Sequence, residues 1–106
     1  PSLEIIAGLL REGASVIAYD PEAAENIKRY FGETKNLHFA DDQYSALQDT
    51  DALIIATEWN TFKSPDFDEM KKRMKHAVIF DGRNIYDLDT IKEQGFAYHS
   101  IGRKAV

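Results

Sequence analysis

Two short polar segments hold the residues best suited to bind a ligand. Thr57-Glu58-Trp59-Asn60 follows an apolar run and offers one large aromatic plane beside three hydrogen-bonding side chains. That mixture suits a planar or sugar-like ligand, and the same indole would equally serve to cover the end of a core. Asp81-Gly82-Arg83-Asn84 follows a second apolar run. Gly82 permits a sharp turn or a positive φ there, and Arg83 projects a planar fork that pairs bidentately with phosphate. A surface arginine paired with Asp81 or Asp87 would carry the same signature. The candidate ligand-contacting residues are therefore Arg83 first, then Trp59, Glu58, Asn60, Asp81 and Asn84.

Other chemistries find little to work with. The chain has no cysteine, which removes disulfides, thiolate zinc sites, iron–sulfur ligation and a thiol nucleophile. His38, His76 and His99 are scattered without metal-ligand spacing, so each reads as a surface or packing residue and no metal site is expected. There is no Gly-rich phosphate loop of the dinucleotide or P-loop type, and no nucleophile, base and orienter assemble into a catalytic group. The 106 residues carry 18 acidic and 13 basic side chains, a formal charge of −5, with a pI near 5.1. Such a balance disfavours nucleic acid and anionic membrane surfaces as partners. No apolar run nears the roughly 18 residues of a transmembrane helix, and the start lacks a secretion signal's pattern, so the expectation is a cytoplasmic protein.

The elements that must position these residues emerge from periodicity. Leu3, Ile6, Ala7 and Leu10 recur at helical spacing, widened by Ile5 and Leu9, with Ser2 as N-cap and Gly13 as stop. Ser15–Tyr19 is a β-branched strand, and Asp20-Pro21 opens a helix running to Phe31 with Ala23, Ala24, Ile27, Tyr30 and Phe31 inward. Leu37–Phe39 is a short strand, after which Asp41 or Asp42 caps a brief helix around Tyr44, Ala46 and Leu47. Asp51–Thr57 is an uninterrupted apolar strand of the kind covered on both faces. Asp66 with Glu69 fits a reciprocal capping box for a helix whose inner face is Phe67, Met70 and Met74. Ala77–Phe80 is a buried strand, Asp87 caps a helix containing Leu88 and Ile91 that ends at Gly95, and Phe96–Ile101 is the last strand. Helices and strands alternate throughout with short connections, which implies one α/β domain with a mainly parallel sheet between helical layers. In such sheets the ligand crevice lies beyond the carboxyl ends of the strands, where Asp20, Asp41 and Asp42 also stand, these mainly as helix caps.

Taken in order, Pro1-Ser2 with a helix to Leu9-Leu10, Gly13-Ala14, Tyr19-Asp20-Pro21, Ala56-Thr57-Glu58-Trp59-Asn60 with Phe62, and Phe80-Asp81-Gly82-Arg83-Asn84 closely resemble the C-terminal domain of the UDP-glucose and GDP-mannose dehydrogenases. The likeness covers nearly the whole chain, and the Asp-Gly-Arg-Asn form looks more like the UDP-glucose branch. The resemblance implies a Rossmann-like α/β/α domain over 1–106 that binds the UDP moiety of a UDP-sugar, with Arg83 as the substrate-contacting arginine. It further implies a larger NAD-dependent enzyme that oxidises the sugar C6 alcohol to a carboxylate, with an N-terminal NAD-binding domain, a central helical domain and homo-oligomer contacts. The family's nucleophilic cysteine and NAD glycines lie upstream and are not in this chain, so no cofactor binding, catalytic residue or activity is expected of the chain alone. The start on Pro1 fits a piece of a longer polypeptide. The family's first strand, expected between those holding Val16 and Ile54, would then be missing. Two interior edges would expose backbone groups costing about 1–3 kcal/mol each if buried unsatisfied. Direct closure of the two strands, an edge borrowed from another copy, or completion by a larger chain would each relieve that.

Two alternatives remain on residues alone. A phospho-acceptor receiver domain is also a small α/β unit, and Asp41-Asp42 with Thr57 suit it superficially, but the spacing leaves no intervening strand for the phosphorylated aspartate. A purely structural or dimerisation domain would bury the opening helix and Tyr98 against a partner.

Overall fold

The computed structural model describes residues 2–56 and 65–100. The order is α1 (Ser2–Arg11), β1 (Val16–Ala18), α2 (Ala24–Phe31), β2 (Leu37–Phe39), a 3₁₀ turn (Ser45–Leu47), β3 (Leu53–Ile55), α3 (Phe67–Arg73), β4 (Val78–Asp81), α4 (Leu88–Glu93) and β5 (Ala97–Ser100). The predicted alternation is present, with a 3₁₀ turn for the brief helix near Tyr44; β1, β3 and β5 are shorter than their apolar runs, β2 matches its run, and β4 is shifted by one residue. Parallel sheets with flanking helices form an α/β, Rossmann-like arrangement, and two compact units, Pro1–Ala46 and Leu47–Val106, divide the chain. No helix among the described residues is long and apolar enough to cross a membrane.

In the first unit β1 and β2 pair in parallel, Val16 opposite Leu37 and Ala18 opposite Phe39. The strand period of two turns Val16, Leu37 and Phe39 toward one face, where Ile6 of α1 and Ile27 of α2 complete an apolar cluster. The helix starts are specified locally. Asp20 Oδ1 accepts the N–H groups of Glu22 and Ala23 at 3.0 and 2.9 Å, so it does cap, but it caps a turn over 21–23 that precedes the regular helix. Tyr30 departs from expectation: it is 66% exposed, with its ring edge-on to Phe31 at 4.9 Å. A helix of two turns buries a narrow stripe, and Ile27 and Phe31 already fill it. Asp42 receives the N–H groups of Tyr44 and Ser45, both at 2.9 Å, as the cap of the 3₁₀ turn.

In the second unit β4 is central, paired in parallel with β3 and β5. Ile79 and Tyr98 face each other across β4 and β5 and are fully buried, together with Ile91 of α4. Met70 on α3 and Met74, its C-cap, are buried, as the spacing predicts. Phe67 joins Tyr86 and Phe96 edge-on at 5.6 and 5.9 Å. The opposite sheet face is open in part. Ile54 is 37% and Phe80 44% exposed, and His99 stacks on Phe80 at 4.9 Å. The apolar run at 51–57 predicts cover on both faces, whereas β3 is buried on one, because Ile55 points into the core and Ile54 away from it. Asp66 caps α3 by accepting the Glu69 N–H at 3.1 Å. Glu69 spends Oε2 on Arg73 Nε at 2.6 Å, one turn on, where a capping box would use it at the helix start.

Within the first unit β1 pairs with β2, and within the second β4 pairs with β3 and β5.

Candidate functional site

The candidate site is built on the end of β4. Asp81 is its last residue, 2% exposed, and stands on the same strand face as Ile79, two positions earlier. A carboxylate buried so deeply is costly unless its oxygens are hydrogen-bonded. Here Oδ1 accepts the Arg83 N–H at 2.8 Å, while Oδ2 accepts the Ile85 N–H at 2.8 Å and the Tyr98 hydroxyl at 2.5 Å. The Gly82 N–H donates to the Ile55 carbonyl at 2.9 Å, which ties the turn to the end of β3.

The turn closes through Asn84, whose φ of 55° is left-handed. Asparagine tolerates that conformation better than other side-chain-bearing residues, and it swings the Ile85 N–H back onto Asp81. Of the sharp turn or positive φ that Gly82 permits, the chain bends at Gly82 and takes the positive φ at Asn84. Tyr86 comes next, 5% exposed, with its ring between Phe67 at 5.6 Å and Tyr98 at 6.0 Å. Asp87 then accepts the Thr90 N–H at 3.1 Å and starts α4 as predicted. Arg83 thus stands exposed at the tip of a loop anchored by a carboxylate on one side and a buried ring on the other.

The candidates separate into three groups on this geometry. Arg83 and Asn84 are exposed on the loop. Asp81 lies beneath it with both oxygens engaged, supporting the arginine's backbone. Glu58, Trp59 and Asn60 fall within 57–64, outside the described residues, as does Ile101 at the end of the chain. Tyr98 had been a candidate for burial against a partner, and it is instead buried inside its own unit, on Asp81. The sequence does hold a signal for that. Alternation from Phe96 through Tyr98 places the hydroxyl inward, and an inward phenol needs a polar partner.

The other polar residues singled out in the sequence stand elsewhere. The Asp42 carboxylate accepts the N–H groups of Tyr44 and Ser45 and the Ser45 hydroxyl, as the cap of its own turn. His76 is exposed 3.9 Å from the Asp51 carboxylate, His38 is exposed on β2, and His99 stacks on Phe80.

The chain is similar to known proteins over most of its length. The model of the UDP-glucose/GDP-mannose dehydrogenase family, UDP binding domain, matches residues 1–88, which include the whole of the Asp81–Asn84 loop. A UDP-glucose 6-dehydrogenase of Rhizobium meliloti is 43% identical over 103 residues, 97% of this chain. One of Bacillus subtilis is 42% identical over 106 residues, all of it. The chain spans 23% of the length of each of these relatives. Among solved structures, a UDP-D-ManNAc dehydrogenase from Pyrococcus horikoshii superposes with a TM-score of 0.57 at 24% identity, over 95% of this chain and 31% of that one. An NDP-N-acetyl-D-galactosaminuronic acid dehydrogenase from Methanosarcina mazei gives 0.59 at 22% identity, over 97% and 28%. These likenesses show the fold. With the family model covering most of its length, the chain belongs to the UDP-glucose/GDP-mannose dehydrogenase family, as a UDP binding domain.

Proposed function

We propose that the chain is the nucleotide-sugar-binding domain of a UDP-glucose 6-dehydrogenase, and that Arg83 contacts the bound UDP-sugar. The observation that carries this reading is the match of the UDP binding domain to residues 1–88, together with a loop that holds Arg83 exposed on a fixed backbone. A guanidinium is permanently charged and its fork matches phosphate oxygens, which suits the diphosphate of the ligand. Asn84, and the outlying Glu58, Trp59 and Asn60, are further contacts in this reading.

In the parent polypeptide the bound sugar would be oxidised at C6, from UDP-glucose to UDP-glucuronate, by hydride transfer to NAD. This chain does not fit NAD itself. Its glycines form no Gly-x-Gly-x-x-Gly, and at the β1–α2 turn the Asp20 carboxylate takes the N–H groups that a pyrophosphate would use. NAD therefore belongs to the upstream domain, and this chain contributes binding and orientation of the nucleotide. Partner NAD-binding and central helical domains belong to the reading, supported by relatives more than four times as long as this chain, and homo-oligomeric assembly and a cytoplasmic site of action complete it.

Titration of the complete polypeptide with UDP tests it. Each hydrogen bond to a charged group contributes roughly 1.5–3 kcal/mol, so Arg83→Ala should weaken UDP binding about tenfold or more. Unchanged affinity would remove Arg83 from the site.

A further inference from the structure

We propose that Tyr98 is a positioning residue for nucleotide binding: through Asp81 its hydroxyl fixes the backbone from which Arg83 projects. The inference rests on the assignment of Arg83 to the UDP-sugar and adds the part of the core that aims it.

The geometry forms a relay of hydrogen bonds. Tyr98 sits on β5 opposite Ile79, and Asp81 lies two residues further along β4, so phenol and carboxylate are diagonal neighbours on one sheet face. The hydroxyl donates to Asp81 Oδ2 at 2.5 Å, and Tyr98 is fully buried. Asp81 in turn accepts from the N–H groups of both Arg83 and Ile85, which bracket the left-handed Asn84. With Oδ2 held by the phenol, the carboxylate plane cannot rotate freely, and its two oxygens stay aimed at two different amides. Those amides set the peptide planes on either side of the turn and so the direction of the Arg83 Cα–Cβ bond. Tyr98 also contacts Tyr86 ring to ring at 6.0 Å, which pins the loop's exit. One buried side chain therefore restrains the arginine's loop from both ends without reaching the ligand.

The phenol does more here than fill space. Phenylalanine would fill the same volume, so the hydroxyl is the atom whose removal isolates the relay. Its loss leaves the carboxylate with two donors in place of three and frees it to turn. The arginine then samples orientations that the diphosphate does not use, which weakens binding by the fraction of time spent in them.

A double-mutant cycle on UDP affinity in the complete polypeptide tests this, using Tyr98→Phe, Arg83→Ala and the pair. Tyr98→Phe alone should weaken UDP binding about three- to tenfold, and in the Arg83→Ala background it should change affinity by less than about twofold. Amide hydrogen exchange across residues 81–87 should be faster in Tyr98→Phe than in the parent. Equal losses in both backgrounds, or none in either, would overturn the proposal while leaving Arg83 at the site. No loss on Arg83→Ala itself would overturn both that assignment and this one. Should Tyr98→Phe not fold, Asp81→Asn replaces it in the cycle, since an amide nitrogen cannot accept a hydrogen bond. The same dependence on Arg83 is then expected, and independence from Arg83 again overturns the proposal.

Discussion

Asp81 is the last residue of β4 and Asp20 follows β1 by two residues, and the carboxylate of each accepts the N–H groups of two residues just ahead. Their surroundings separate them. Asp20 is half-buried at the start of a turn and its one engaged oxygen, Oδ1, serves the approach to α2. Asp81 is buried, uses both oxygens, and takes a third donor from a phenol 17 residues later in the chain. The first is a local device that any Asp-Pro-Glu turn can build. The second requires tertiary structure, and a carboxylate that needs the rest of the core to satisfy it is suited to holding a loop in one conformation. The chain beyond each aspartate fits the contrast: a proline and a helix after Asp20, an exposed arginine after Asp81.

The contrast breaks most visibly in stability. Asp81→Ala removes the acceptor of the Arg83 and Ile85 amides and of the Tyr98 hydroxyl. At about 1–3 kcal/mol for a buried group left unsatisfied, and less for the two part-buried amides, a loss of about 2 kcal/mol or more is expected in urea unfolding of the complete polypeptide. A loss below about 1 kcal/mol would mean that water replaces the carboxylate without penalty. Asp20→Ala removes a partly exposed cap and should cost about 1 kcal/mol, with UDP affinity unchanged. If the two aspartates proved equal, burial would not be what distinguishes them. Smaller still is Tyr30→Ser, which should stay within about 0.5 kcal/mol of the parent, since this tyrosine lies largely in solvent.

The elements were legible because short-range rules govern them. β-Branched runs marked the strands, and Gly13, Gly32 and Gly95 take positive φ at the helix ends where the spacing placed stops. Asp42, Asp66 and Asp87 cap as expected, because a cap is decided within four residues. What was harder to read depended on distance in sequence or on width. Tyr30 has helical spacing from Ile27, yet a short helix offers too narrow a buried stripe to include it. Ile54 belongs to an apolar run, yet a run alone does not say which face is covered. Arg83 was legible as a phosphate-pairing candidate because its chemistry lies in one side chain. The support beneath it was not, since neither Asp81 nor Tyr98 reveals the other until β4 and β5 are laid side by side.

The central claim is that the exposed Arg83, held on the Asp81 loop, grips a nucleotide diphosphate. Calorimetric titration of UDP into the complete polypeptide and its Arg83→Ala variant, under identical salt, tests this most directly. The account predicts an affinity lower by about tenfold or more in the variant, with unfolding stability preserved. Equal affinities in the two proteins would contradict it.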